Sequence, residues 1–316
     1  MTFVKLPYLK NVNNFKNLAP VVLFVYNRPY HTIQTINSLK NNILADQSDL
    51  VIYADGPKDE QNSIQVQEVV NYLQTIDGFK TIHIHERKTN YGLAQNIIDG
   101  VSQTLVKYNK AIIVEDDLVT SPYFLQYMNE ALDYYAEKED VACIHGYVYP
   151  LDKTLPKPFF LKGADCWGWG TWKRAWDLFK PDGQILLDRI IEKGLAKEFD
   201  FDNSYPYLQM LKDQIAGLNN SWAIRWYASA FLKNKLVLYP NHSLVQNIGH
   251  DSSGTHSGVT SKFDIRLSTS KVPVEVEIAV SKAGYKAFVN YFNSIKAPNK
   301  MSFGKKIKNS LKNLLK

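Results

Sequence analysis

The sequence predicts an α/β protein in which a mostly parallel sheet is flanked by helices, and three observations predict it. Short apolar runs alternate with helical patterns along the first 137 residues. Each run stops at polar turn or loop residues, as strands buried on both faces do. A chain of 316 residues with 45% hydrophobic and 22% charged content has the composition of a folded domain, not of a repeat or a disordered chain.

The elements follow in order. Val21 to Tyr26 reads as a buried strand ending at Asn27-Arg28-Pro29, and a helical pattern follows from His31 to Leu44. Leu50 to Ala54 is a second strand, closed by Asp55-Gly56-Pro57 and followed by a helix over 62–75. A third strand runs from Thr81 to His85, and a helix from Leu93 to Leu105 follows Asn90-Tyr91-Gly92, with Asn90 placed to cap it. Ala111 to Val114 is the most apolar strand, and Ser121-Pro122 reads as an N-cap with proline at the first position of a helix reaching Glu137. Alternation of this kind requires crossovers, so the strands lie parallel and their carboxyl ends share one rim. Asn27, Asp55, 86–88 and Glu115-Asp116-Asp117 therefore converge on one crevice, which is a ligand site by position.

Beyond residue 141 the alternation fades into a proline-marked stretch and an aromatic run, Trp167-Gly168-Trp169-Gly170-Thr171-Trp172. All six tryptophans fall between 167 and 226, a density suited to stacking on sugar rings or to filling a core.

Charge and cysteine content exclude several function classes. The net charge is +6, but seven lysines lie in 296–316 with no acid among them, leaving 30 basic against 31 acidic residues in the remainder. A neutral body without a basic face argues against nucleic-acid binding. No window reaches the roughly 18 uninterrupted apolar residues of a spanning helix, and the first residues lack a secretory signal pattern. Two cysteines, Cys143 and Cys166, imply no disulfide framework, and the expected compartment is the cytoplasm.

Three constellations carry chemistry. Glu115-Asp116-Asp117 fixes three carboxylates at the mouth of a rigid strand, where their repulsion is relieved by a hard cation such as Mg²⁺ or Mn²⁺; the plainer alternative is a solvated acidic loop. Asp55 before Gly56 is either a turn former or a ligand contact. His250, Asp251 and His256 lie in a loop rich in glycine and serine, where an imidazole could ligate the metal or contact a diphosphate.

Taken together, Val22-Leu-Phe-Val-Tyr-Asn-Arg-Pro29, Ala54-Asp-Gly-Pro57, Asn90-Tyr-Gly-Leu-Ala-Gln-Asn96, Val114-Glu-Asp-Asp117 and Cys166-Trp-Gly-Trp-Gly-Thr-Trp172 resemble the GT-A fold glycosyltransferases. The resemblance is to both the family-2-like group and the N-acetylglucosaminyltransferase I-like group, and it covers roughly residues 20 to 260. It implies a Rossmann-like sheet and a metal-dependent transfer of sugar from a nucleoside diphosphate sugar, with UDP the expected carrier. By the same resemblance Asn27 and Arg28 would flank the nucleotide, Asp55 would hold the base, and Asn90 and Asn96 would line the ribose and diphosphate. Asp116 would face the ribose or sugar, and Asp117 would bind Mn²⁺ or Mg²⁺, with His250 and His256 as further candidate ligands. Trp169 would stand in a loop bordering the sugar and acceptor. The family's late aspartate between two tryptophans is absent from Trp222-Ala-Ile-Arg-Trp226, so Asp165 and then Asp213 become the candidate bases.

The implied organisation is an N-terminal extension (1–19), a nucleotide-sugar-binding half (20–150), an acceptor-binding half (151–295) and a basic tail (296–316). In the tail, Phe303, Ile307, Leu311, Leu314 and Leu315 recur at helical spacing among lysines, the pattern of an amphipathic helix lying on an anionic membrane surface. The expected acceptor is a glycan or lipid-linked glycan in surface polysaccharide assembly, with the enzyme held peripherally at the inner face of the membrane. A nucleotidyltransferase or a dehydrogenase would want a glycine-rich turn after the first strand, which Tyr26-Asn-Arg-Pro29 does not supply. The competing reading from another class is a non-catalytic carbohydrate-binding, membrane-associated protein.

Overall fold

The computed structural model describes residues 17–252 and 260–296. The first sixteen residues, His256 and the tail beyond Lys296 lie outside the described residues, and the expected tail helix lies there with them. The predicted alternation is present: β1 (Val21–Val25), α1 (Pro29–Lys40), β2 (Asp49–Ala54), α2 (Glu60–Leu73), β3 (Thr81–Glu86), α3 (Leu93–Tyr108) and β4 (Lys110–Glu115). A short strand β5 (Leu118–Thr120) and the helix α4 (Phe124–Tyr134) follow.

Two helix starts differ from expectation. Helix α4 begins at Phe124, two residues later than expected, although Ser121 still stands at its entry: its hydroxyl accepts from the Tyr123 amide at 3.2 Å while donating to the Ser268 carbonyl at 2.6 Å. Asn90 does not cap α3; its amide donates to Asp55 and to the Gly56 carbonyl.

The regular structure continues past residue 141. It comprises β6 (Val141–His145), β7 (Phe159–Leu161), β8 (Trp169–Trp172), α5 (Lys173–Trp176), α6 (Gly183–Glu192), α7 (Ala196–Phe199), α8 (Tyr207–Ile215), α9 (Trp222–Leu232), β9 (Leu236–Tyr239), β10 (Val245–Asn247) and α10 (Lys282–Ile295). The main sheet has eight strands in the order β3-β2-β1-β4-β8-β6-β9-β7. Strands β1 to β4 pair in parallel. β8 is antiparallel to both β4 and β6, so β6 and its parallel partner β9 point the same way as β4. Only β8 and the edge strand β7 oppose the rest. This is the mostly parallel, Rossmann-like α/β sheet that the sequence predicts.

The core follows from composition. Strands β1, β6, β8 and β9 are buried at every residue, and β2 and β4 at all but their ends, because helices cover both faces. α9 buries Trp222 and Trp226 against Trp169, at ring separations of 5.6 and 6.1 Å. No helix among the described residues is long and apolar enough to cross a membrane.

Candidate active site

Strand order places the site. β1 pairs with β2 on one side and β4 on the other, so the chain direction of the crossovers reverses between β1 and β4, and a crevice opens at their carboxyl ends. A cavity of about 770 Å³ lies there, within the size range of small-molecule sites. Asn27, Arg28, Asp55, Asn90, Asn96, Asp116, Asp117, Asp165 and His250 all line it.

Each strand exit contributes one fixed group. After β1, Arg28 pairs with Asp116 and, at 3.0 Å, with Asp117, while Asn27 donates to Asn62 of α2. Burial opposes the charge on Arg28, but the two carboxylates outweigh it and raise its pKa, so the guanidinium stays protonated. Asp116 is buried and also accepts from the Tyr26 amide at 3.4 Å. Burial pushes its carboxyl upward and Arg28 opposes that shift. Burial, followed by the charges of Asp117 and Asp116, likewise pushes Glu115 upward.

Asp55, after β2, is committed to the chain itself. One oxygen accepts from the Gly56 and Tyr91 amides at 3.0 and 2.8 Å, and the other from the Gly92 amide and the Asn90 side chain at 2.9 and 3.1 Å. It therefore clamps the exit of β2 to the segment before α3. Asn96 is buried and accepts from Arg87 at 3.2 Å, and Arg87 in turn lies over the Tyr91 ring.

The antiparallel pair β10–β5 carries a second wall across the triplet. The Asn247 side chain accepts from the Gly249 amide at 2.7 Å, and the Ile248 amide donates to the Asp117 carbonyl at 2.8 Å. A Cβ on Gly249 would stand 2.2 Å from Asp117 Oδ2, so only glycine lets the segment leaving β10 approach the carboxylate. Next in the chain, both ring nitrogens of His250 are buried with no hydrogen-bond partner among the described residues, and its ring sits against Trp167 and Phe263.

Of the two candidate bases, the structure brings only Asp165 to the cavity. Its oxygens accept from Tyr149 at 2.6 Å and Tyr239 at 2.8 Å. Burial raises its pKa and the two phenols oppose the rise. Asp213 stands on α8 and accepts from Gln209 at 2.8 Å in an exposed hydrogen bond, away from the cavity.

Trp169 is also placed elsewhere. It lies in β8, at the centre of the sheet, wholly buried and packed on Trp222, and it does not line the cavity. The glycines beside it accommodate protein instead: a Cβ at Gly168 would meet Val245 at 2.6 Å, and one at Gly170 would meet Leu132 at 3.2 Å. Of the aromatic run only Trp167 reaches the cavity. Lining residues that sequence reasoning passed over include Lys58, Tyr149, Tyr205, Tyr207, Tyr227 and Tyr239. Tyr149 and Tyr205 lie between regular elements, Tyr207 and Tyr227 on α8 and α9 and Tyr239 at the end of β9, and a single tyrosine carries no motif, so only their spatial convergence identifies them.

A divalent cation fits this donor set on chemical grounds. Asp117 offers a hard carboxylate oxygen at the cavity wall, and the turn after β10 offers the imidazole of His250, which has no hydrogen-bond partner among the described residues. Among the described residues no three His, Cys, Asp or Glu side chains gather as a ready-made metal site. The protein would thus supply one or two ligands, as it does for Mg²⁺ or Mn²⁺ held largely by water and phosphate.

No protein-family model matches the sequence, and no curated protein matches it significantly. Solved structures similar to this chain include TarS of Staphylococcus aureus, at 15% identity over 46% of this chain and 24% of that one, with a TM-score of 0.30. The mannosyltransferase PcManGT of Pyrobaculum calidifontis, in complex with GDP-Man and Mn²⁺, shares 11% identity over 69% of this chain and 70% of its own, with a TM-score of 0.39. A UDP-glucose pyrophosphorylase complexed with UDP-glucose shares 10% identity over 53% of this chain and 82% of its own, with a TM-score of 0.31. The chain thus spans about a quarter of TarS. At these TM-scores the likeness is partial, and the fold stands on the strand order itself.

Proposed function

We propose that this protein is a metal-dependent glycosyltransferase that moves a sugar from a nucleoside diphosphate sugar, with UDP the expected carrier, to a glycan or lipid-linked glycan in surface polysaccharide biosynthesis. The observation that carries the reading is the convergence, at the switch point of the sheet, of Arg28, Asp116 and Asp117 with a half-buried carboxylate, Asp165, in the same cavity. Peripheral attachment through the basic tail belongs to the same proposal.

The roles follow from the groups. Arg28 holds a fixed positive charge where a diphosphate would lie, and its bonds to Asp116 and Asp117 fix its direction. Asn27, Asn90 and Asn96 present amides along the nucleotide side, and the Asp55 clamp keeps that wall in place. A cation bound at Asp117 and His250 would stabilise the charge developing on the diphosphate leaving group. Asp165, whose carboxylate is fixed by Tyr149 and Tyr239 and whose pKa burial raises, is the base: the acceptor hydroxyl gives it a proton while the oxygen bonds to the anomeric carbon. The bond from that carbon to the diphosphate breaks, and its electron pair leaves with the diphosphate.

Calorimetric titration with UDP, with and without Mn²⁺, tests the reading. The expected result is metal-dependent binding that weakens at least about tenfold in Asp117→Ala and in Gly249→Ala, while circular dichroism stays native. Binding of GDP in place of UDP would overturn the choice of base. If no nucleoside diphosphate binds with any divalent cation, the glycosyltransferase reading fails and the carbohydrate-binding alternative gains.

A further inference from the structure

The cavity has two chemically different ends. At the nucleotide end stand Arg28 and Lys58, which among the described residues are the lysine and arginine side chains that line it. At the other end, the wall around Asp165 is aromatic: Trp167, Phe201, Tyr205, Tyr207, Tyr227 and Phe263. Cys166 joins the ends, since its thiol lies close enough to feel the charges of both Glu115 and Asp165. The acidic triplet thus closes one lobe and opens the next.

We infer that the lobe around Asp165 is a subsite for an uncharged pyranose ring of the acceptor, and that it rejects acceptors bearing a phosphate or carboxylate beside the accepting hydroxyl. The inference rests on the glycosyltransferase reading and names the substrate class that reading leaves open.

Recognition and rejection have separate physical sources. The apolar C–H face of a sugar ring buries well against aromatic side chains, and their phenol and indole groups serve the hydroxyls at its edge. Asp165 supplies a fixed acceptor for one hydroxyl, held in place by Tyr149 and Tyr239 at 2.6 and 2.8 Å. Those two phenols remain protonated donors, because burial and the Asp165 charge both raise their pKa. An anionic group entering the lobe would be desolvated, with no lysine or arginine among the described residues lining the lobe to meet it and with the Asp165 carboxylate facing it, which is discrimination by an unfavourable contact. His145, stacked behind Tyr239, adds no positive charge, since burial holds it neutral.

Saturation-transfer NMR on the full chain loaded with UDP and Mn²⁺ tests this. The probes are methyl glycosides of glucose, galactose, mannose and N-acetylglucosamine, each beside its 6-phosphate, with the glucuronide and galacturonide as carboxylate probes. At least one neutral glycoside is expected to bind about tenfold or more tightly than its anionic counterparts. Asp165→Asn should shrink that discrimination to below about threefold. Tyr205→Ala should weaken glycoside binding about fivefold while leaving UDP affinity within about twofold, and this variant keeps the test standing if Asp165→Asn does not fold. Two results overturn the inference while the donor reading stands: anionic glycosides binding as well as neutral ones, or no glycoside binding beside a clear UDP signal. Loss of the UDP signal itself in the unaltered protein brings down the donor reading and the inference with it.

Discussion

Tyr239 links the candidate base to the core, since its hydroxyl donates to Asp165 at 2.8 Å and its ring stacks on His145 at 4.8 Å. His145 is wholly buried, and desolvation of its charged form pushes its pKa down to about 3. The unfolded chain, with an ordinary histidine pKa near 6.5, binds the proton that the folded chain refuses. Stability from this residue is therefore fully present above about pH 6.5 and is lost as pH falls from there toward 3, by about 1.4 kcal/mol per pH unit. Urea unfolding at pH 7 and pH 4.5 should show a loss about 2–3 kcal/mol smaller in His145→Phe than in the unaltered protein. An equal loss in both would contradict the assignment. The sequence displays His145 and Asp165 only as residue types. Their protonation is decided by burial, which no local pattern reports.

Between elements, side-chain clamps do what backbone pairing cannot. Asp55 ties the exit of β2 to the segment entering α3 through the amides of Tyr91 and Gly92 and the side chain of Asn90. Asp55→Ala leaves those donors without a carboxylate, and should cost about 1–3 kcal/mol in urea unfolding and loosen nucleotide affinity. Asp55→Asn keeps one acceptor oxygen and should cost less. The positions of Asp55 and Asn90 are legible in the sequence because each follows or precedes a periodic segment. Their bond to one another is not, because it joins residues 35 apart. Ribbon β10–β5 makes the same point more strongly: it seats Gly249 on Asp117, across more than a hundred residues of chain.

At the scale of the molecule, one sheet runs through both halves of the chain, with β8 from the second half inserted between β4 and β6. All six tryptophans lie between 167 and 226, so their fluorescence reports the second half, whereas far-ultraviolet circular dichroism reports every helix and strand. The two signals should give the same urea midpoint, because disrupting β8 exposes the buried faces of both halves; separated midpoints would show two independent units. The sequence by itself determined the alternation of strands and helices, the parallel sense of the first four strands and the rim where Arg28, Asp55 and the acidic triplet meet. These depend on apolar runs, turn residues and the chirality of crossovers, which are local or generic rules. Only the tertiary structure decided that Trp169 fills the core, that Asp213 faces away, and that an aromatic lobe surrounds Asp165. Those outcomes depend on which distant surfaces pack together, and a tryptophan-glycine run suits a central strand as well as it suits a ligand loop until its neighbours are known.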